Sequence, residues 1–427
     1  MIRRSLREWQ YLPVNDSEED GAISRVLADR LVETARAARI GGDDGEGILV
    51  NGARKLRAQQ VVGVIAADGI TLEILPKIDG ADDAATRRNL VHMLATVLDL
   101  EIASGSMTEL GWQRYDLLEI LIRLFIDKLF EALHRGLPRR YVGCEDDLLA
   151  LRGRLDVRRQ FTVLAASPQK LACRYEELSP DIALNQVMKA AISRLASVSR
   201  APENQRRLGE LSFAYNDVAQ VPVKSLPWER IIIDRTNSRW RELLSLAKLL
   251  LGGRFQTTSS GDARGFSLLF EMNTLFEEFI GRKLRLALSG TGIDVQLQGP
   301  RDYALVELES GTRRFATRPD IVLSRNGTPL SIIDTKWKRL KGAIDDAKRG
   351  VGQADVYQMM AYAHVYRCTS LMLLYPHHDE LGPTDGILTG HRVTGTTDTR
   401  LQIATIDCSA LARCAQTLST IVALPAD

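Results

Sequence analysis

Two neighbouring stretches decide the fold of the C-terminal part of this chain: Thr317-Arg318-Pro319-Asp320-Ile321-Val322-Leu323-Ser324 and Ile332-Ile333-Asp334-Thr335-Lys336-Trp337-Lys338. Each has a run of β-branched and apolar residues beside charged ones, a composition typical of a β-strand. Asn326-Gly327 lies between them, and this dipeptide is a strong signal for a hairpin turn. The pattern therefore predicts a β-hairpin with an acidic residue on each strand.

The charged residues of this hairpin have the composition of a phosphodiester-cleaving site. Asp334 and Lys336 are two residues apart, so on a strand both side chains point to the same face. Asp320 and Asp334 place two carboxylates on adjacent strands. Carboxylates are hard oxygen ligands of the kind that hold Mg²⁺. Bound Mg²⁺ activates water, and a nearby ammonium orients that water and offsets charge on the phosphate. We expect Asp320 and Asp334 to be metal ligands and Lys336 to be catalytic.

The register of the hairpin tests this hypothesis. In an antiparallel pair, the numbers of facing residues have a constant sum, and that sum must be 654 if Asp320 is to face Asp334. A two-residue turn at Asn326-Gly327 with an unbroken ladder gives 653 and sends the two acids to opposite faces. The hypothesis therefore predicts either a three-residue turn with Gly327 at positive φ or a β-bulge.

A helix is predicted upstream, over residues 268–288, and it offers a third acid. Glu277 lies at the border of its apolar face, where an acid is costly unless it is paired or bound to metal, so it is a candidate catalytic residue and metal ligand. Glu278 falls on the side expected to face solvent. The alternative is that Glu277 is an ordinary flanking glutamate.

A second helix follows the hairpin and carries Gln358 and Tyr362 one turn apart. This polar pair within an apolar helix is expected to hydrogen-bond a phosphate or the catalytic lysine, or else to be satisfied inside the core. Lys338 follows the second strand, where it contacts the DNA backbone or forms a solvated strand end.

Length, charge and cysteine content limit the class of protein. The chain has 427 residues, which suggests two or three domains, and its 45% hydrophobic content excludes disorder for the bulk of it. A net charge of +2 gives no general attraction to phosphate and disfavours a nucleic-acid coat protein. Five scattered cysteines without a C-x-x-C pair argue against disulfides and thiolate zinc. With neither a signal peptide nor an apolar membrane segment visible, we expect a cytoplasmic protein that does not enter membranes.

The fold class predicted from these patterns is multidomain α/β. A mixed, strand-leaning N-terminal module is expected over residues 1–98, with a hairpin around Asp68-Gly69. A mainly helical region over 99–255 includes helices near 116–135, 182–197 and 238–251, and a C-terminal α/β domain over 256–427 begins with a loop at 256–265. Arg152 and Arg154 lie in an Arg-rich stretch that either grips a partner or phosphate or forms a solvated loop.

Taken together, Asp320, Asp334-x-Lys336, a helical glutamate and Gln358-x-x-x-Tyr362 resemble the PD-(D/E)xK nuclease superfamily, and the last element resembles its RecB-like branch. The chain also resembles the McrC family, the nuclease subunits of McrBC modification-dependent restriction systems. The matching segments are Leu72-Glu73-Ile74-Leu75-Pro76-Lys77-Ile78, Leu151-Arg152-Gly153-Arg154-Leu155, Asn185-Gln186-Val187-Met188-Lys189, Glu271-Met272-Asn273-Thr274-Leu275-Phe276-Glu277 and the nuclease core. Because the helical segment begins with a second acid, Glu271 remains an alternative to Glu277 or Glu278 for the metal site.

This resemblance implies a restriction-endonuclease-like C-terminal domain that cuts DNA with Mg²⁺. It also implies that the N-terminal half docks on McrB, a hexameric AAA+ GTPase that reads methylated cytosine, and stimulates its GTP hydrolysis. No stretch of this sequence has a Walker A loop with its Lys-Ser/Thr, so GTP is expected on the partner, with Arg152 and Arg154 as partner contacts. Two alternatives stay open: a non-catalytic activator of the motor, and an autonomous nuclease of a related defence system.

Overall fold

A computed structural model describes residues 2–15, 21–36, 48–77, 82–100, 115–252, 265–342, 348, 350–396, 398–409 and 411–422. The chain divides into two compact units. Met1–Leu118 and Phe255–Asp427 form the first unit, and Glu119–Arg254 form the second. The first unit thus takes in both ends of the chain. Of the loop predicted at 256–265, all but Gly265 lies outside the described residues. No helix within the described ranges is long and apolar enough to cross a membrane.

The described residues form eighteen strands and ten α-helices. The strands are β1 (Ile2–Arg7), β2 (Tyr11–Pro13), β3 (Leu49–Asn51), β4 (Lys55–Ala58), β5 (Val61–Ala67), β6 (Ile70–Leu75), β7 (Arg140–Leu148), β8 (Arg154–Leu155), β9 (Leu171–Ser179), β10 (Phe266–Glu271), β11 (Asp294–Leu297), β12 (Asp302–Val306), β13 (Arg313–Thr317), β14 (Ile321–Arg325), β15 (Thr328–Thr335), β16 (Ser370–Pro376), β17 (Gly386–Arg392) and β18 (Arg400–Ile406). The helices are α1 (Arg25–Arg36), α2 (Asp83–Val97), α3 (Leu117–Leu133), α4 (Val157–Thr162), α5 (Ala183–Val198), α6 (Pro202–Ala214), α7 (Trp240–Leu250), α8 (Met272–Ala287), α9 (Gln353–Tyr366) and α10 (Leu411–Ile421).

The first unit contains a four-stranded sheet of order β1-β6-β5-β10. The predicted hairpin at Asp68-Gly69 is confirmed as β5 and β6. The prediction of a helix from residue 268 is wrong for its first turn, because Phe266–Glu271 pairs with β5 and helix α8 begins at Met272. The Phe-Ser-Leu-Leu-Phe run is buried, and sheet pairing satisfies its backbone where the apolar spacing alone suggested a helix.

Gly63 allows β10 to lie close to β5. Its φ is +134°, and a Cβ at this position would lie 1.9 Å from the carbonyl oxygen of Leu268. Only glycine fits both the backbone conformation and the close approach.

The six-stranded sheet of the first unit has the order β11-β14-β15-β16-β18-β17. β15, β16 and β18 are parallel to one another. The pairs β11–β14, β14–β15 and β17–β18 are antiparallel. α8 packs on β11 and β15, and α9 packs on β15 and β16. The buried residues of β15 and β16 form the centre of this sheet, so the strand that carries Asp334 is held on both edges.

In the second unit, the three predicted helices are confirmed as α3, α5 and α7. The sequence did not reveal the three-stranded sheet β7-β9-β8, which includes part of the Arg-rich stretch. β7 and β9 pair along nine residues each, yet most of their side chains are exposed or half-buried. Such strands lack the apolar alternation that marks a strand against a core.

Candidate active site

The β14–β15 hairpin has the register that brings its two acids to one face. The turn is the two-residue type, with Asn326 and Gly327 at φ +52° and +80°. Ser324 faces Pro329, a sum of 653, but a β-bulge follows, and from Leu323 and Ser331 onward the sum is 654. The extra residue is Leu330. The predicted β-bulge is therefore confirmed, and it restores the face that the tight turn would have reversed.

Asp320 stands directly before β14 and is fixed by the residue after Asp334. Its Oδ2 accepts hydrogen bonds from the backbone N–H of Thr335 at 2.8 Å and from the Thr335 hydroxyl at 2.9 Å. Burial raises the pKa of Asp320 above its usual range, against the lowering effect of these two hydrogen bonds. The carboxylate is thus held rigidly beside the end of β15.

Asp334 is fully buried, and its charge is met by a single cation. Its Oδ2 lies 2.5 Å from Lys336 Nζ, and apart from this ion pair neither carboxylate oxygen has a hydrogen-bond partner among the described residues. Burial and the neighbouring Asp320 carboxylate raise the pKa of Asp334 to about 6. Burial would lower the pKa of Lys336, but the surrounding carboxylates outweigh it and raise that pKa, so the side chain is an ammonium ion at neutral pH.

Among the three glutamates left open by the sequence, Glu277 interacts electrostatically with both Asp320 and Asp334. Burial first, then the Asp320 and Glu278 carboxylates, raise the pKa of Glu277 to about 7, and Asp334 adds a smaller effect. Glu271 is exposed at the start of α8, where it accepts a hydrogen bond from Thr274.

The prediction that Glu278 faces solvent is wrong, because this residue is only 6% exposed. Helices α2 and α10 pack against α8 from distant parts of the chain and cover sides that the periodicity leaves polar. Arg282, one turn away, lies 3.9 Å from the Glu278 carboxylate. Burial alone therefore does not distinguish the two acids, and the electrostatic effect of the hairpin acids on Glu277 favours that residue.

Gln358 and Tyr362 link the lysine to the backbone before Asp320. Lys336 Nζ donates to Gln358 Oε1 at 3.2 Å, and Gln358 Nε2 donates to the Tyr362 hydroxyl at 2.7 Å. The Tyr362 hydroxyl in turn donates to the Arg318 carbonyl at 3.1 Å. The polar pair predicted on this helix thus lies at the site and holds the Lys336 ammonium.

Asp355 is a site residue that the sequence did not reveal. It is 8% exposed in the first turn of α9; its Oδ2 accepts a hydrogen bond from Lys338 at 2.7 Å, and its Oδ1 lies 4.0 Å from Lys336 Nζ. Lys338 is therefore paired, with half of its side chain exposed. The only sequence feature that pointed to Asp355 was its position one turn before Gln358.

The donor set fits a hard divalent cation. Across the described ranges, no group of three His, Cys, Asp or Glu side chains has its ligand atoms gathered closely enough to hold a metal as the side chains stand. Mg²⁺, however, is usually bound through one or two carboxylates, with waters and substrate phosphate completing its shell. Asp334 Oδ1 is buried without a hydrogen-bond partner among the described residues, and the pKa values of Asp334 and Glu277 are raised. Both features are expected at a site where a bound cation would lower the energetic cost of clustered acids.

Arg152 and Arg154 are in the second unit and are exposed. The Arg152 guanidinium lies 4.0 Å from the centre of the Tyr175 ring and 3.4 Å from the Glu177 carboxylate. Exposed apolar side chains flank the two arginines in the sequence, among them Leu149, Leu151 and Phe161, which are 80%, 59% and 74% exposed.

The fold and the site define a mixed α/β protein whose central hairpin carries a buried carboxylate–lysine cluster. The family described as McrBC 5-methylcytosine restriction system component matches residues 56–376, three quarters of the sequence, and the chain belongs to this family. No curated protein matches the chain significantly.

Two solved structures are similar to the chain. One is a chain of a refined half-complex from a tetradecameric assembly of Thermococcus gammatolerans McrB AAA+ hexamers with bound McrC. It has a TM-score of 0.74 and 21% identity, with 99% of this chain and 100% of that one covered. The other comes from the cryo-EM structure of the Thermococcus gammatolerans McrBC complex, with a TM-score of 0.55 and 25% identity over 67% of this chain and 88% of that one. The first likeness establishes that the fold extends over the whole chain.

Proposed function

We propose that this chain is the DNA endonuclease subunit of a modification-dependent, 5-methylcytosine-type restriction system, and that it hydrolyses phosphodiester bonds with Mg²⁺. The cluster has the composition of a PD-(D/E)xK site. The single observation that carries the proposal is the bulged register of β14 and β15, which brings Asp320 and Asp334 to one face beside Lys336. Family membership supports a role in restriction, in the cytoplasm where DNA is encountered.

Asp320, Asp334 and Glu277 would hold the Mg²⁺ ion. When bound, the metal supplies a water of lowered pKa and a positive charge against the phosphate. The chain's own residues prepare this arrangement: Thr335 fixes Asp320, and the bulge fixes the direction of Asp334. Binding a cation requires deprotonated carboxylates, so Asp334 and Glu277 release protons near neutral pH as the site fills.

Lys336 acts as a positioned cation. Its raised pKa keeps it protonated, and Gln358 orients the ammonium toward the buried face. In that state it neutralises charge that grows on the phosphate during attack, and the benefit is large because the side chain is mostly withdrawn from water.

The proposed partner is an AAA+ GTPase hexamer of the McrB kind. In one of the similar solved structures, McrC is bound to McrB AAA+ hexamers. In this chain the second unit has a surface suited to docking, with Arg152 and Arg154 among exposed apolar side chains. We propose that this surface contacts the partner, which binds GTP and reads methylated double-stranded DNA.

The test is a cleavage assay on methylated and unmethylated DNA, with and without the AAA+ protein and GTP. Cleavage that needs Mg²⁺, the partner, GTP and methylation is the expected result. Purified chain that cuts with Mg²⁺ alone would instead indicate an autonomous nuclease. A complex in which GTP hydrolysis is stimulated but DNA stays intact under all these conditions would indicate a non-catalytic activator.

A partner-contact variant tests the docking surface separately. Replacing Arg152 and Arg154 by alanine should reduce stimulation of the partner's GTPase and leave the fold intact, because both side chains are exposed. Unchanged stimulation would exclude these arginines as partner contacts.

A further inference from the structure

A strip of cations and aromatic rings lies on the N-terminal part of the first unit. It consists of Lys55, Arg57, Lys77, Trp9 and Tyr11, and we refer to it as the basic–aromatic strip. The Lys55 ammonium and the Arg57 guanidinium lie 5.1 and 5.4 Å from the centre of the Tyr11 ring. Arg57 and Lys77 lie 5.1 and 5.5 Å from the centre of the Trp9 ring. These distances are those of cation–π contacts, so the rings fix the positions of the cations.

The backbone explains why these five side chains meet. β2 and β4 pair with Tyr11 facing Arg57 and with Pro13 facing Lys55. Trp9 adopts φ +69°, and its N–H donates to the carbonyl of Ala58, the last residue of β4. Three members of the strip therefore lie on paired strands, with Lys55 and Arg57 on the central strand of this sheet and Tyr11 on its edge strand.

Two cations of the strip, Lys55 and Arg57, have no carboxylate partner in the part of the chain that the structure describes. Among the described residues, neither Lys55 nor Arg57 forms an ion pair, and the buried Arg57 Nε has no hydrogen-bond partner. Tyr11 is 52% exposed, so one part of the strip is open to solvent. The planar guanidinium of Arg57, which the two rings hold in place and which has no partner carboxylate, is suited to a phosphate oxygen.

The strip adjoins the candidate active site through one buried carboxylate. Glu8 Oε2 accepts hydrogen bonds from the backbone N–H of Lys77 at 3.2 Å and from Trp337 Nε1 at 2.9 Å. Trp337 directly follows the catalytic lysine in sequence. The Lys77 backbone N–H and the Trp337 indole N–H thus share one acceptor, and Trp337 lies two residues beyond the end of β15.

The electrostatics show the same proximity. Burial lowers the pKa of Lys77; the Glu8 carboxylate acts in the opposite direction, and the Lys338 ammonium adds to the lowering. Lys77 and Lys338 therefore lie within reach of each other's charge. Lys77 also shares the Trp9 ring with Arg57, so it connects the strip to Lys338, which is paired with Asp355.

We propose that the basic–aromatic strip binds the phosphate backbone of the DNA that enters the active site. This inference rests on the proposed nuclease function and names the surface that holds its substrate. Because the whole chain has a net charge of only +2, long-range attraction to DNA is weak, and a local group of cations must supply phosphate contacts. Its continuity with the cluster favours DNA over an acidic protein as the occupant.

The experiment measures binding of the full chain to a fluorescein-labelled DNA duplex by anisotropy, without divalent cations so that nothing is cut. Lys55→Ala/Arg57→Ala is compared with the parent and with Arg30→Ala/Arg36→Ala, which removes the same charge from helix α1. Loss of two phosphate contacts should weaken binding at ~0.1 M salt by at least about tenfold and reduce the slope of log affinity against log salt by about two. The α1 variant should bind nearly as the parent does.

Equal affinity and equal salt slope in the strip variant and the parent would overturn the proposal. So would a strip variant that binds DNA normally but no longer assembles with the AAA+ partner, because the strip would then be a protein contact. A strip variant that loses DNA affinity supports the proposal even if the parent, assembled with its partner, GTP and Mg²⁺, does not cut DNA. Absence of cleavage by the assembled parent would contradict the nuclease function alone. Failure of the strip proposal can therefore be told apart from failure of the proposed function.

Discussion

Trp337 donates its indole N–H to the Glu8 carboxylate at 2.9 Å, although the two residues are 329 positions apart in the chain. Glu8 is only 2% exposed, and burial raises its pKa. The Trp337 ring packs against Phe276 of α8, with centroids 5.3 Å apart. The N-terminal segment thereby holds Trp337, which directly follows Lys336 beyond the strand that carries Asp334.

A double-mutant cycle on Trp337→Phe and Glu8→Met tests this link. Trp337→Phe removes the donor and leaves a buried carboxylate poorly satisfied, so the free energy of unfolding should fall by about 1–3 kcal/mol. In the Glu8→Met background the same change should cost roughly 1 kcal/mol less. Urea unfolding measures all four proteins, and additive effects would show that the hydrogen bond carries no coupling.

Asp334 should make the stability of the metal-free protein depend on pH. Its pKa is raised from 3.8 to about 6, so the folded protein holds this proton more tightly than the unfolded chain does. The stabilising contribution is full below pH 4 and is lost as the pH rises through 6, amounting to on the order of 3 kcal/mol. Asp334→Asn removes this dependence, so its stability relative to the parent should rise between pH 4 and pH 7.

Thermal unfolding across this pH range, with chelator present, measures the effect. Asp294→Asn, which alters an exposed acid of the same six-stranded sheet, serves as the control and should follow the parent. Parallel curves for Asp334→Asn and the parent would contradict the assigned pKa.

Tyr362→Phe tests the hydrogen-bond chain that holds Lys336. The change removes the hydroxyl that accepts from Gln358 and donates to the Arg318 carbonyl, while it keeps the buried ring. Loss of this orientation should lower the cleavage rate about tenfold with little change in the affinity for DNA. The matched control is Tyr357→Phe on the same helix, whose ring is 59% exposed. Equal rates for Tyr362→Phe and the control would remove Tyr362 from the site.

The close approach of β10 to β5 gives a prediction about stability. Gly63→Ala places a methyl group against the Leu268 carbonyl in a backbone conformation that alanine rarely adopts, and it should lower the free energy of unfolding by at least about 3 kcal/mol. Gly209 lies exposed within α6, with open space around its Cα. Gly209→Ala should therefore raise the free energy of unfolding by about 0.5 kcal/mol. A neutral Gly63→Ala, measured by urea unfolding, would contradict the described register.

Local patterns predicted the hairpin and its acids because strand periodicity and turn chemistry act over a few residues. The arithmetic of the register required either a three-residue turn or a β-bulge, and the structure has the bulge, at Leu330. Glu278 was misjudged because α2 and α10, distant in sequence, cover its side of α8. Asp355 was missed for a related reason: its significance depends on Lys336 and Lys338, which only the tertiary structure brings near it.

The central claim is that Asp320, Asp334, Glu277 and Lys336 form a metal-dependent centre that cuts DNA. Its most direct test is the single-turnover cleavage rate of Asp334→Asn, assembled with the AAA+ partner, GTP, Mg²⁺ and methylated DNA, beside the Asp294→Asn control. Loss of a metal-holding carboxylate should remove several kcal/mol of transition-state stabilisation, so we expect a rate at least ~10³-fold lower, with assembly and GTPase stimulation unchanged. Cleavage by Asp334→Asn at the rate of the control would contradict the account.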